Sequence, residues 1–349
     1  MSRSFNNFSE FFNHGFDTVI DVRSPSEFEE DHIPGAINLP VLDDDERAQV
    51  GTIYVQDSPF KARKLGAALV AKNASTHLQG SLAEREGGWK PLVYCWRGGQ
   101  RSGSFASILS QIGWRADVIE GGYRSYRRLV VNFLYESEFL PKVFLIDGNI
   151  GTAKTDILHA FAARGGQIID LEGLAHHRGS LFGGYADPQP SQKAFEGALA
   201  EKIMQLDPNK PVLVEAESSK IGERLVPPSL WAAMKDAPRL RVAAPLPARA
   251  NYLTRAYSDL ISDRSRLDAV IENLRSFYSS EQIHAWKKMI EWGDYEELAG
   301  SLMREHYDPR YRKGSEDCAL SVELPDLRAP DIEDAAGQIA IFLGELNSG

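Results

Sequence analysis

The chain is predicted to fold as two α/β domains in tandem, and three observations carry that expectation. Strand-sized apolar runs alternate with helical stretches up to about residue 250. Two of those runs, residues 92–94 and 142–146, each end in a glycine-rich loop. Each loop then opens a helix, and a strand, glycine loop and helix in succession form the repeating unit of a parallel α/β sheet.

In the first domain, placed at residues 1–135, residues 18–22 form a strand and residues 26–31 a helix behind a Ser-Pro-Ser cap. Residues 92–94 deliver Cys95, residues 104–112 form the next helix, and residues 118–119 lead into the turn Glu120-Gly121-Gly122-Tyr123. A charged helical connector, residues 126–138, reaches Pro141. The second domain, residues 136–349, starts with the strand 142–146 and a helix from Lys154, followed by strands at 168–170, 211–215 and 239–243. From residue 250 the pattern turns helical, with amphipathic stretches at 259–278 and 281–292. The sequence contains no internal repeat.

At 349 residues the chain is long enough to bury two cores. Hydrophobic residues at 43% and charged residues at 25% exclude a disordered or fibrous class. The only two cysteines, Cys95 and Cys318, exclude a disulfide framework and fit a reducing compartment. Residues 1–8 lack the apolar run of a signal peptide, so a cytoplasmic protein with no membrane partner is expected. A net charge of −10 excludes a surface coated in base for nonspecific nucleic-acid binding. It leaves room for local patches, and two are present: Arg124, Arg127 and Arg128, then Arg304, Arg310, Arg312 and Lys313 with Tyr307 and Tyr311 interleaved. Either is a candidate RNA contact or a solvated basic face.

Cys95 opens the loop Cys95-Trp96-Arg97-Gly98-Gly99-Gln100-Arg101-Ser102. Converging backbone N–H groups, a helix start and the guanidinium groups of Arg97 and Arg101 favour a thiolate there. A nucleophile is expected. The spacing Cys-x5-Arg also suits a loop whose arginine forks onto a phosphate dianion, so a phosphatase stays open as an alternative.

Gly148-Asn149-Ile150-Gly151-Thr152-Ala153-Lys154-Thr155 has the strand and helix context of a Walker A loop. Its N–H groups would wrap a diphosphate, Lys154 would reach the terminal oxygens, and Thr155 would be placed to hold Mg²⁺. Ala153 stands where glycine is usual: its methyl is harmless if the residue is helical, and crowds the phosphate if the backbone must touch it. Glu215 ends a strand in the position of a Walker B acid, and Glu217 follows on the same side. Both are candidate acid or base groups. His176 and His177 point in different directions and lack a third ligand, so no metal site is expected. His177, Arg178 and Ser180 are read as phosphate or RNA contacts.

The segment Asp21-Val22-Arg23-Ser24-Pro25-Ser26-Glu27-Phe28, then His32-Ile33-Pro34-Gly35-Ala36-Ile37-Asn38-Leu39-Pro40 and the Cys95 loop, resembles rhodanese-like domains. That resemblance implies that Cys95 carries a chalcogen, that Asp21 and Arg23 form a structural pair, and that His32 is a packed turn residue. Some protein tyrosine phosphatases share the rhodanese fold. With Asp170-Leu171-Glu172-Gly173-Leu174-Ala175-His176-His177-Arg178-Gly179-Ser180, Glu215-Ala216-Glu217-Ser218-Ser219-Lys220-Ile221-Gly222 and Tyr307-Asp308-Pro309-Arg310-Tyr311, nearly the whole chain resembles the tRNA 2-selenouridine synthase family.

The family resemblance implies a rhodanese-like α/β domain followed by a P-loop NTPase-like parallel α/β domain with helical C-terminal additions. It implies conversion of wobble 2-thiouridine to 2-selenouridine through an S-geranyl intermediate, in tRNAs for lysine, glutamate and glutamine. Geranyl diphosphate and selenophosphate are the implied substrates, with no tightly bound cofactor beyond room for Mg²⁺, and a selenophosphate-supplying enzyme is a further implied partner. Cys95, Arg97 and Arg101 would handle selenium, and the loop of residues 148–155 the diphosphate. A phosphotransfer enzyme and a tRNA sulfurtransferase with a vestigial P-loop are the competing classes.

Overall fold

The computed structural model describes residues 1–311 and 318–347. The chain divides into two units, one of Met1–Ser137 with Pro190–Met204, the other of Glu138–Gln189 with Gln205–Gly349. Relative to domains at 1–135 and 136–349, the difference lies in the segment Pro190–Met204, which belongs with the first unit.

The first unit is built on five parallel strands, β1 (Ser2–Arg3), β2 (Thr18–Asp21), β3 (Ile37–Asn38), β4 (Pro91–Tyr94) and β5 (Asp117–Ile119), in the order β1-β5-β4-β2-β3. β2 and β4 pair in a register that sets Asp21 beside Tyr94, so the turn after β2 and the cysteine loop after β4 leave the same sheet edge together. Val19, Ile20, Leu92, Val93 and Tyr94 are all buried, as strands covered on both faces require. The helix after the cysteine loop runs Gln100–Ile112, four residues longer at its start than its apolar pattern suggests. Between β3 and β4 lies a helical hairpin, Asp44–Gln56 and Pro59–Gln79, that apolar periodicity does not announce. Its first helix buries no residue fully, and its ends are set by caps at Asp43 and Ser58.

Arg23 is the hub beneath the cysteine loop. Its guanidinium grips Asp21, with Nη2 2.6 Å and Nε 3.0 Å from Oδ2, while Nη2 also donates to the Asp31 carbonyl at 2.6 Å. The rings of Tyr123 and Tyr94 lie 4.2 and 5.6 Å from the guanidinium carbon. Arg23 and Asp21 are both buried, so each is tolerated there only because the other is present. The helix Gln192–Met204 adds a second buried acid to this unit: Glu196 pairs with Arg127 and accepts a hydrogen bond from Tyr135 Oη at 2.7 Å.

The second unit has the strands β6 (Val143–Asp147), β7 (Gln167–Ile169), β8 (Val212–Glu215), β11 (Arg239–Ala243) and β12 (Leu320–Glu323), with a short antiparallel ribbon of β9 (Lys220–Ile221) and β10 (Arg224–Leu225). The parallel sheet runs β12-β11-β6-β8-β7. β6 is therefore flanked by strands that come later in the chain on both sides, and the loop that follows it opens at a topological switch point. β12 was not expected: it falls inside a stretch read as helical, and only Val322 of its four residues is buried, too short an alternation to register. One apolar cluster packs Ile157, Leu158 and Phe161 of the helix Lys154–Ala163 with Ala335, Ile339 and Leu343 of the last helix and the sheet. Another, in the helices after residue 257, gathers Leu267, Ile271, Trp286, Ile290 and Leu298. Among the described residues no helix is long and apolar enough to cross a membrane.

Replacing Arg23 with alanine strands the Asp21 carboxylate in the core, and a loss of about 3–5 kcal/mol is expected in urea unfolding of the first unit. Removing both charges at once, with Asp21→Leu and Arg23→Met, should cost less than the single change; a double variant as unstable as Arg23→Ala would reject the pair as the reason.

Candidate functional site

Cys95 follows β4 directly and is buried, with Sγ 3.1 Å from Ser102 Oγ. The loop is shaped by backbone lying on backbone. Gly98, at φ +64°, has the Ile119 carbonyl where a Cβ would stand, and Gly122, at φ +60°, has the Cys95 carbonyl. Tyr123 N donates to Cys95 O at 2.9 Å and Arg124 N to Trp96 O at 3.2 Å, which locks the loop to the turn after β5.

The two loop arginines part company. Arg97 is exposed, whereas Arg101 is committed to Glu27 through bonds of 2.7 and 3.3 Å. Burial alone would push the Glu27 carboxyl up, but Arg101, with Arg47 at 3.7 Å, holds it below the ordinary carboxylate range. A Cys-x5-Arg phosphatase needs that guanidinium turned onto the phosphate. Here a carboxylate already occupies it, which argues against the phosphatase. His32 stacks on Phe28 and bonds its carbonyl at 2.9 Å through Nδ1, the arrangement of a packed turn residue.

In the second unit the loop after β6 takes the Walker shape. Thr152 Oγ1 donates to Asn149 O at 2.9 Å, and Lys154 Nζ donates to Gly148 O at 3.0 Å. Ala153 is left-handed, φ 57° and ψ 31°, rather than helical; it is buried in one apolar cluster with Phe144 and Ile157, and it also lines the cleft. A left-handed alanine costs backbone energy, about 1 kcal/mol.

The acids around Lys154 separate by depth. Glu215 is fully buried; one oxygen accepts from Leu171 N at 2.8 Å and the other, Oε1, has no hydrogen-bond partner. Burial, then Asp170 and Glu172, push its carboxyl well up. Glu217 instead lines the cleft together with Glu172. Burial and the Glu217 charge push Glu172 up to about 8, with Lys154 pulling the other way. A Cβ on Gly179, at φ +65°, would stand 2.6 Å from Glu217 Oε1 and 2.8 Å from Glu172 Oε1, so a side chain there would displace the pair. Thr155 Oγ1 lies 3.4 Å from Glu172 Oε2. These oxygens match the donors Mg²⁺ takes beside substrate phosphates, and a cation would relieve the repulsion between the acids. Glu172 is not singled out by the sequence patterns, although its place three residues after β7, at the same sheet edge, is the signal that marks it.

Arg178 is held between Tyr185 and Tyr257, 4.0 and 4.6 Å from their ring centres, and bonds Asp259 at 2.6 Å. Ser180 bonds Tyr257 Oη at 3.0 Å, and both residues line the cleft with Arg178. His177 does not line it: it pairs through its backbone with Gly184 and packs beside Gly222.

Against the polar cleft lies an apolar cavity walled by Phe182, Leu260, Leu267, Leu298, Leu302 and Met303. Ile150, Leu253, Tyr257 and Tyr307 line both spaces. The basic clusters do not survive as uniform patches. Arg127 is taken by Glu196, while Arg124 and Arg128 stay exposed; Arg304 bonds Glu297 at 2.7 Å; Arg310 bonds the His306 carbonyl at the cleft. Arg312 and Lys313 lie outside the described residues.

A family model described as the tRNA 2-selenouridine synthase AAA domain matches residues 141–280, and a rhodanese-like domain model matches residues 5–129. A protein named tRNA 2-selenouridine synthase from Nitrosomonas europaea is 32% identical over 305 residues, covering 86% of this chain and 79% of that one. One of the same name from Hahella chejuensis is 33% identical over 330 residues, 84% of each chain. Another from Bdellovibrio bacteriovorus is 37% identical over 244 residues, 66% of this chain and 62% of that one.

Ala153→Gly should stabilise the second unit by about 0.5 kcal/mol, the left-handed strain relieved less the entropy glycine gains when unfolded. Thermal melting reads it, and a loss of stability would mean that the buried methyl outweighs the strain. Glu172 makes a pH-dependent prediction. Its folded value of about 8 exceeds the ordinary 4.5, so the folded state binds the extra proton and stability falls as pH rises from about 4.5 to 8. In metal-free buffer Glu172→Gln should therefore gain about 1–2 kcal/mol over wild type at pH 8 and nothing at pH 4.5; parallel melting curves across that range would reject the shift.

Proposed function

Since the chain belongs to the tRNA 2-selenouridine synthase family, we propose that it replaces the sulfur of wobble 2-thiouridine with selenium in two stages, prenylation in the second unit and displacement at Cys95 in the first. The tRNAs would be those for lysine, glutamate and glutamine. The observation that carries the first stage is the shared wall between the phosphate loop's cleft and the apolar cavity, at Ile150, Leu253, Tyr257 and Tyr307. A ligand with a diphosphate head and a hydrocarbon tail satisfies both spaces, which favours geranyl diphosphate over a nucleotide, whose polar base would be stranded among Leu267, Leu298 and Leu302.

In the prenyl step the thiocarbonyl sulfur forms a bond to the first carbon of the geranyl group, and the carbon–oxygen bond to diphosphate breaks. The diphosphate leaves with the electron pair and takes up the proton that the uridine ring nitrogen gives up. Lys154 and the loop N–H groups receive the charge that develops on the leaving diphosphate. Mg²⁺, held by Thr155 with Glu172 and Glu217, would share that charge. The ring sulfur is now a thioether-like leaving group.

Selenophosphate carries selenium already at the selenide level, so water that takes the phosphoryl group releases hydrogen selenide and phosphate. Forming a Cys–S–Se bond from it would need an oxidant; a direct role for Cys95 needs none. Its thiolate attacks the ring carbon and expels geranyl thiolate, which leaves protonated. Hydrogen selenide then displaces Cys95, and the proton it carried restores the ring N–H. Arg97 would meet the anionic donor, a reading its exposure supports. Arg101 acts through Glu27, fixing the helix that starts at the loop.

Cys95→Ser should abolish 2-selenouridine and leave S-geranylated tRNA to accumulate, read by nucleoside analysis of tRNA treated with both substrates. Loss of both products together would sink the division of labour between the units. Lys154→Ala should weaken geranyl diphosphate by about 2 kcal/mol or more while tRNA supplied already geranylated is still selenated; failure of that half-reaction too would assign the loop another task.

A further inference from the structure

We propose that Asp308 and Arg249 act as positioning residues for the phosphate loop, clamping it from behind through Asn149 and Ile150. The inference rests on the reading of that loop as a diphosphate site. Arg249 stands on the helix Leu246–Ala256 and is 4% exposed. Its Nη1 and Nη2 meet Asp308 Oδ2 and Oδ1 at 3.0 and 2.7 Å, the bidentate geometry of a strong pair. Its remaining donor, Nε, reaches the Ile150 carbonyl at 2.9 Å. Asp308 Oδ1 also accepts from Asn149 Nδ2 at 2.9 Å. One ion pair, its arginine buried and its carboxylate partly exposed, therefore holds two consecutive residues at the tip of the loop.

The consequence follows from peptide geometry. In a planar trans peptide the carbonyl and the next N–H point in opposite directions. Fixing Ile150 C=O on Arg249 fixes the Gly151 N–H away from it, and Gly151 lines the cleft. The adjacent peptide is held as well, because Asn149 O accepts from Thr152 Oγ1. The clamp thus presets loop donors that would otherwise have to be ordered when an anion arrives. Neither Arg249 nor Asp308 lines the cleft, so their role is to position rather than to touch substrate. The segments that supply them also supply Leu253 and Tyr307 to the apolar cavity, so the seat of the tail and the clamp of the head are one construction.

The test uses the full chain and inorganic pyrophosphate in a calorimetric titration, beside steady-state prenyl transfer from geranyl diphosphate. Asn149→Ala cuts the loop from Asp308 and leaves the ion pair with Arg249 intact. It should raise the pyrophosphate Kd roughly 3–10-fold, the worth of about one hydrogen bond, and raise KM for geranyl diphosphate with little change in kcat. Asp308→Asn should weaken both further, and Asp308→Glu, which keeps the charge, should recover part of the loss. If Asp308→Asn fails to fold, Asn149→Ala with an unchanged melting temperature decides alone. Folded variants that bind pyrophosphate as wild type does would overturn the clamp, as would a fall in kcat at constant KM. If wild type itself binds neither pyrophosphate nor geranyl diphosphate, the diphosphate reading of the loop falls, an outcome separate from loss in the variants only.

Discussion

At Gly98, Gly122 and Gly148 the space that a Cβ would fill is already occupied by a carbonyl oxygen from a neighbouring segment. Both candidate sites depend on this close approach of backbone to backbone at the carboxyl edge of a parallel sheet. The sheet places strand ends side by side about 5 Å apart, so the loops that leave them must either splay outward or lie on one another. Glycine permits the second course. The cysteine loop settles on the turn after β5, and the phosphate loop settles on the end of β11.

The charges are then arranged around those loops with a division between support and function. Arg23 with Asp21, Arg101 with Glu27, Arg127 with Glu196 and Arg249 with Asp308 are four pairs in which a guanidinium holds structure in place. Each consumes a cation that a count of basic residues would offer to RNA. In an acidic chain this leaves few arginines near the sites with open faces, Arg97, Arg124 and Arg128 in the first unit among them. Around Lys154 the balance is reversed: Glu172 and Glu217 line the cleft with one lysine, and burial, with repulsion from neighbouring acids, raises the proton affinity of Glu172 and of Glu215 beneath them. A site with surplus negative charge is stabilised by whatever cation accompanies the substrate.

If the second unit takes the proposed prenyl diphosphate, its cleft and cavity divide the recognition between them. The loop itself recognises only phosphate oxygens, through N–H groups that any diphosphate satisfies. Discrimination comes from the helices that follow residue 245, whose leucines make the adjoining space dry. Chemistry is set by the sheet edge, and selectivity by the added helical layer.

Local signals were legible wherever the function needs residues that are neighbours in sequence. The strand and loop leading to Cys95, the Walker loop from Gly148 to Thr155 and the parallel α/β class all follow from short-range patterns, because φ/ψ preferences, strand burial and helix starts are decided within a few residues; the Asp21–Arg23 pair was implied by the family resemblance. What the sequence left open lies in pairs that are distant along it: Glu27 with Arg101, Glu196 with Arg127, Asn149 and Arg249 with Asp308, and the leucines of the apolar cavity. The same holds for the return of Pro190–Met204 to the first unit and for β12 at the sheet edge. Ala153 makes the difference plain, since its identity was evident at once but its left-handed backbone and its burial were imposed by the packing around it. Residue types determine which chemistry is available; only the folded packing decides which of those groups are free to perform it, because a charge or methyl takes its role from neighbours that the linear order does not record.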